Sequence, residues 1–182
     1  STPYILIGGL KFYSRKEIKD MIAYLKLIHN PNDNVSLKRI INEPKRGIGD
    51  TTVDKLAEMA DSQDMSIFNY IDDSSNLSSM RSSGNIILFR DMIKELIKDK
   101  FTLSITELMK KILLVTGYEE MLVKENTSES EGRLENIYEF LGVASEFEKE
   151  EADNSLSEFL DSIALVSDTD KLDENEEAVT LM

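Results

Sequence analysis

The sequence has no cysteine and a single histidine, His29. The first absence excludes disulfides, thiolate metal sites and cysteine nucleophiles, and it fits a reducing compartment. The second leaves no basis for a histidine metal centre or a Ser-His-Asp triad. Only three prolines and eight glycines interrupt a chain rich in Lys, Glu, Leu, Ile and Ser, so helix is favoured and strands should be few. No apolar run reaches the roughly 18 to 20 residues of a bilayer span. The opening STPYILIGGLKFYSRKE lacks the ordered regions of a signal peptide, which makes the cytoplasm the expected compartment. A G-x-x-x-x-G-K-[ST] phosphate loop is missing, and Gly8-Gly9-Leu10-Lys11 has neither its spacing nor its hydroxyl. The carboxylates show no acid/base or calcium-loop spacing, and Asp168-Thr169-Asp170 reads as a polar turn.

What is present suits one sizeable folded domain: 182 residues, 41% hydrophobic and 31% charged. The net charge of −14 argues against a nucleic-acid partner until its distribution is examined. Residues 1–49 carry nine Lys and Arg against four Asp and Glu, a net of +5, and the rest of the chain carries −19. One face can therefore meet an anion while the remainder stays solvated.

The pattern predicts a mainly α fold. Helices are expected over about 15–29, 35–42, 50–61, 65–72, 84–99, 104–116, 118–125, 128–149 and 155–167. Ser-x-x-Glu capping boxes at Ser14/Glu17, Ser104/Glu107, Ser128/Glu131 and Ser155/Glu158 mark four of the starts. Asn30-Pro31 ends the first helix, where His29 sits as a partly exposed last-turn residue. The eight methionines read as core filler, and the Ser/Asn/Asp-rich stretch 72–85 as the least ordered part. Short β-type runs at 4–7 and 178–182, the second set off by the acids of 173–177, suggest strands of a sheet lying mostly elsewhere, whose ends would lie close together.

One segment carries chemistry: Asn42-Glu43-Pro44-Lys45-Arg46-Gly47-Ile48-Gly49-Asp50-Thr51-Thr52. It reads as helix, tight hairpin, helix, with Pro44 ending the first helix, Ile48 plugging the angle and Asp50 capping the second. The N–H groups around Gly47, Ile48 and Gly49, with the positive end of the second helix, form a place for a phosphate oxygen. Lys45 and Arg46 supply charge, and Thr51 or Thr52 a hydroxyl. Such a hairpin grips the backbone without reading bases. On the first helix, Arg15, Lys19 and Lys26 fall within about 40° of one another at 100° per residue, a basic stripe able to follow a duplex.

Gly8-Gly9-Leu10-Lys11-Phe12-Tyr13-Ser14-Arg15-Lys16-Glu17-Ile18-Lys19-Asp20, Ala23-Tyr24-Leu25, Asn30-Pro31-Asn32-Asp33 and Arg39-Ile40-Ile41-Asn42 through Pro44-Lys45-Arg46-Gly47-Ile48-Gly49 resemble the accessory 2B subdomain of UvrD/PcrA-type DNA helicases. Leu103-Ser104-Ile105-Thr106-Glu107-Leu108 and Arg133-Leu134-Glu135-Asn136-Ile137-Tyr138-Glu139-Phe140-Leu141 are similar to it too, and the likeness weakens near 73–85. The resemblance implies a helical 2B subdomain over 11–172 with a helix-hairpin-helix-like motif. Residues 1–10 would be a strand of the adjoining RecA-like 2A domain, and 173–182 an acidic linker with a returning 2A strand.

By the same resemblance, ATP and magnesium belong to the parent, a 3′ to 5′ DNA helicase of repair or replication. The piece itself would have no ATP site, cofactor or metal. Its task would be to bind duplex DNA near a single-strand junction, alongside the remaining helicase domains, and to regulate unwinding. Gly47, Ile48, Gly49 and Thr52 correspond to the family's duplex-contacting hairpin, and Lys19 and Lys26 to its first-helix contacts. Position 26 is often Arg in the family, and Lys lacks its bidentate fork; position 45 varies. The competing reading is an acidic helical interaction module that recruits repair or replication proteins.

Overall fold

The computed structural model describes residues 9–167. The expected terminal strands, the turn at 168–170 and the acids of 173–177 lie outside the described residues. Within them all regular structure is helical. A 3₁₀ segment, Gly9–Ser14, leads into α1 (Lys16–His29), α2 (Asn34–Ile40), α3 (Asp50–Ser62), α4 (Ile67–Asp72), α5 (Ser83–Asp99), α6 (Ile105–Val115), α7 (Tyr118–Glu125), α8 (Ser128–Glu150) and α9 over 156–167. A second 3₁₀ turn, Ser74–Leu77, lies between α4 and α5.

Helix α1 organises the packing. The sequence pattern assigned it one apolar face, but Ile18, Met21, Ala23, Tyr24, Leu25, Leu27 and Ile28 are all buried, because α2, α5, α6 and α8 enclose it. Two acids are carried inside with them. Asp20 is 1% exposed, and its carboxylate accepts from Tyr118 Oη (2.6 Å), Arg39 Nε (2.9 Å) and Lys16 Nζ (2.8 Å). Glu17 accepts from Asn136 Nδ2 at 2.7 Å, with Arg133 Nε at 3.7 Å. A buried carboxylate survives only with its lone pairs satisfied, so these contacts fix how α2, α7 and α8 sit against α1. Burial first, then the bond to Asp20, raises the Tyr118 phenol well above its ordinary pKa. It remains a donor throughout the physiological range.

The capping boxes divide. Ser104/Glu107 forms the complete reciprocal box at α6. At α8 the box moves one residue upstream, to Thr127 and Ser130. Ser155 accepts from the Glu158 N–H at 3.2 Å, the forward half of a box. Ser14/Glu17 forms none: the Ser14 hydroxyl donates to Lys11 O, and Glu17 is drawn into the core by Asn136. The 72–85 stretch is also ordered. Leu77 is fully buried, Met80 packs on the core, and Arg90 Nη1 donates to Ile71 O (3.2 Å) and Ser74 Oγ (2.7 Å).

Asp20→Ala strands the buried Tyr118 hydroxyl and two cations that can partly re-enter water. We expect a loss of about 2–4 kcal/mol, below the full cost of breaking a buried pair, read as a lower urea midpoint.

Candidate nucleic-acid interface

The α2–α3 connection differs from a tight hairpin. Helix α2 ends at Ile40, before Pro44, and residues 41–49 link it to α3 through a cis Glu43–Pro44 peptide. Side chains hold the link in shape. Asn42 Oδ1 accepts from the N–H groups of Arg46 (2.6 Å) and Ile48 (3.2 Å). Ile48 is fully buried, and its N–H, expected to face a phosphate, is engaged by Asn42 instead. Gly47 has φ +73°, the left-handed region that favours glycine. Gly49 occupies the N-cap position with φ −75°, so Asp50 is the first residue of α3 and not its cap.

Arg46 faces inward, contrary to its expected place beside a phosphate. Its Nη1 donates to Ile40 O (2.8 Å) and Ile41 O (3.1 Å), and Nη2 donates to Tyr24 Oη. The guanidinium carbon lies 5.5 Å from the Phe89 ring centroid and 5.9 Å from that of Tyr24. Ile40 O also accepts from the Glu43 N–H at 3.1 Å, and the planar multi-donor cation adds bonds to both carbonyls at the negative end of the helix dipole. Tyr24 Oη in turn donates to Glu43 O at 2.7 Å. Burial raises the Tyr24 phenol from 10.0 to about 12, against the opposing pull of Arg46. Sequence reasoning did not assign a role to Tyr24 or Asn42; Asn42 stands in the segment leading to the glycine motif, whereas nothing local in sequence ties Tyr24 to it.

What remains free is the outer rim. Gly47, Gly49, Asp50, Thr51 and Thr52 have N–H groups without an acceptor among the described residues, and the Thr51 and Thr52 hydroxyls make no bond there. Lys45 is exposed and forms no ion pair among them. The same holds for Arg15, Lys19 and Lys26, whereas Lys16, Arg39, Arg90, Lys94, Lys111 and Arg133 are paired with acids.

The stripe and the hairpin do not share a face of α1. At 100° per residue Tyr24, which anchors the hairpin, points about 160° from Lys26. Lys19 and Lys26 instead line a cleft of about 330 Å³ with Arg39, Ile22, Val35 and Ile163, bringing α9 beside α1 and α2. Arg39 was not among the expected site residues; its bond to buried Asp20 appears only in the folded chain. Among the described residues no group of three or more His, Asp or Glu side chains is arranged to hold a metal ion.

Gly47→Ala should cost about 1–2 kcal/mol, because a Cβ is strained at positive φ. Its contact with Asn85 Nδ2, 2.7 Å away, is relieved by rotation of that exposed amide. Gly49→Ser has open space and an ordinary φ, so thermal unfolding should show stability unchanged or raised by about 0.3 kcal/mol through the new cap. A phenol kept protonated by the fold stabilises it fully below its ordinary pKa of 10.0, and that contribution disappears as pH rises toward the folded value. The urea midpoint should therefore fall above about pH 10, and Tyr24→Phe should flatten the part of that fall due to Tyr24, leaving the part due to Tyr118.

The UvrD-like helicase C-terminal domain family matches residues 1–182. The ATP-dependent DNA helicase PcrA of Bacillus subtilis is 45% identical over 186 residues, covering 98% of this chain and 25% of that protein. PcrA of Staphylococcus aureus is 43% identical and that of Staphylococcus epidermidis 42%, each over 183 residues, 99% of this chain and 25% of the relative. The chain thus spans about a quarter of the length of the curated relatives it matches.

Proposed function

The chain belongs to the UvrD-like helicase C-terminal domain family, and on that footing we propose that it is the 2B-type accessory lobe of a PcrA-like motor, holding duplex DNA by its phosphate backbone without reading sequence. In this reading the α2–α3 connection is a helix-hairpin-helix-like grip. The unengaged N–H groups at Gly49, Asp50, Thr51 and Thr52 receive a phosphate oxygen at the positive end of α3, beside the unpaired Lys45. That exposed donor set carries the proposal.

Lys19 and Lys26 form a second contact on another side of α1, so a duplex would be held at two separate points. Arg46 shapes the first from within, binding α2 carbonyls and Tyr24. The parent motor would supply ATP hydrolysis with magnesium, and the lobe would regulate unwinding by how it holds the duplex ahead of the junction. Repair and replication are the settings that follow from such an activity, in the cytoplasm.

The acidic part favours a second reading as a protein-recruiting module through exposed apolar side chains such as Phe101 (77%) and Leu114 (79%). Salt separates the two. With three or four phosphates neutralised, anisotropy of a labelled duplex with a single-stranded tail should give a log–log salt slope of about −3 to −4. The Lys19→Ala/Lys26→Ala/Lys45→Ala variant should be shallower by about 2.7 with an unchanged thermal midpoint, since none of these exposed side chains has a hydrogen bond or ion pair among the described residues. Salt-insensitive wild-type binding, or a variant that behaves as wild type, rejects the grip.

A further inference from the structure

Beyond residue 49 the chain carries a large excess of acid, with one long exception: no Asp or Glu occurs from Ser74 to Arg90, between Asp73 and Asp91. The fold sets this stretch against the α2–α3 connection. Gly47 faces Asn85 so closely that an added Cβ would lie 2.7 Å from its amide nitrogen, and the Arg46 guanidinium lies over Phe89. The stretch is held in place from within, by Leu77 and Met80 in the core and by Arg90 at Ile71 O and Ser74 Oγ.

Its two cations are used in opposite ways. Arg90 is buried and occupied. Arg81 is exposed, with no hydrogen bond or ion pair among the described residues, and Ser79, Ser82 and Ser83 beside it have hydroxyls without a protein partner there.

We infer that the duplex-binding face extends from the α2–α3 connection onto residues 78–85, where Arg81 takes a further backbone phosphate. This rests on the duplex-binding reading above. It adds a free cation to the stretch whose Asn85 faces Gly47, where Arg46 itself has turned inward. The occupant is a polyanionic backbone, because the stretch combines positive charge and hydroxyl donors with the absence of any competing carboxylate of its own. Base reading is not required of it.

The test is the same tailed duplex, titrated with the full chain at several salt concentrations. Arg81→Ala should lower affinity about 3–10-fold at low salt and reduce the salt slope by about 1, while Arg81→Lys restores most of the slope. Ser79→Asp, which adds a negative charge beside Arg81, should weaken binding in the same direction. The thermal midpoint of each variant should match wild type, since the side chains replaced are exposed and make no hydrogen bond or ion pair among the described residues. If wild type binds with the expected slope and the three-lysine variant loses it, but Arg81→Ala retains wild-type affinity and slope, the extension is wrong and the grip stands. If wild type shows no salt-dependent binding, both fall together.

Discussion

A helix enclosed on nearly every side must satisfy each polar group it carries inward, and α1 is such a helix. Its sequence places Glu17 and Asp20 one turn apart among apolar residues. Once α2, α5, α6 and α8 close around it, water is lost to both. Replacement partners come from four separate places: Lys16 on α1 itself, Arg39 on α2, Tyr118 on α7, and Arg133 with Asn136 on α8. Apolar burial supplies most of the stabilisation. The directional bonds to these two carboxylates select one arrangement of the surrounding helices, since a shifted helix would leave a buried charge unpaired.

The same logic operates at the α2–α3 connection, where the surplus groups are carbonyls. Helix α2 is short, and of its terminal carbonyls Ile40 O accepts from the Glu43 N–H of the following turn. Arg46 reaches back to them, and Tyr24 links that guanidinium to Glu43 O. The connection is thereby fixed before any ligand arrives. N–H donors at the start of α3 have no acceptor among the described residues, because the N-cap is Gly49, which has no side chain to accept from them. As the phosphate grip proposed above, such a connection would be preorganised, and binding to it would order few additional groups.

Charge follows a corresponding division. Cations that neutralise buried or half-buried acids stabilise the fold and have little left for a partner. Those without an ion pair among the described residues, among them Lys19, Lys26, Lys45 and Arg81, contribute free positive potential at the surface. Net charge alone misleads here, because most of the acid belongs to solvated helix faces remote in sequence from the basic first quarter.

Periodicity and punctuation were enough to locate all nine helices of the described residues, most to within two residues of their ends, and to mark residues 42–52 as the segment with unusual chemistry. These are local properties: spacing of apolar side chains, Asn30-Pro31 as a stop, Ser104 with Glu107 as a start, glycines where the chain turns. Whether a polar side chain faces solvent or core is not local. Glu17 resembled a cap and became a core acid; Arg46 resembled a phosphate ligand and became a support for α2; the serine-rich stretch resembled slack chain and is anchored by Leu77 and Arg90. In each case the partner lies in another element, Asn136 for Glu17 and Tyr24 for Arg46, and the bond exists only after folding brings the two together. The sequence determined which segments are helices and which residue types surround the connection; the tertiary structure decided which of their charges remain free, because desolvation by distant elements sets the cost of leaving any one of them unpaired.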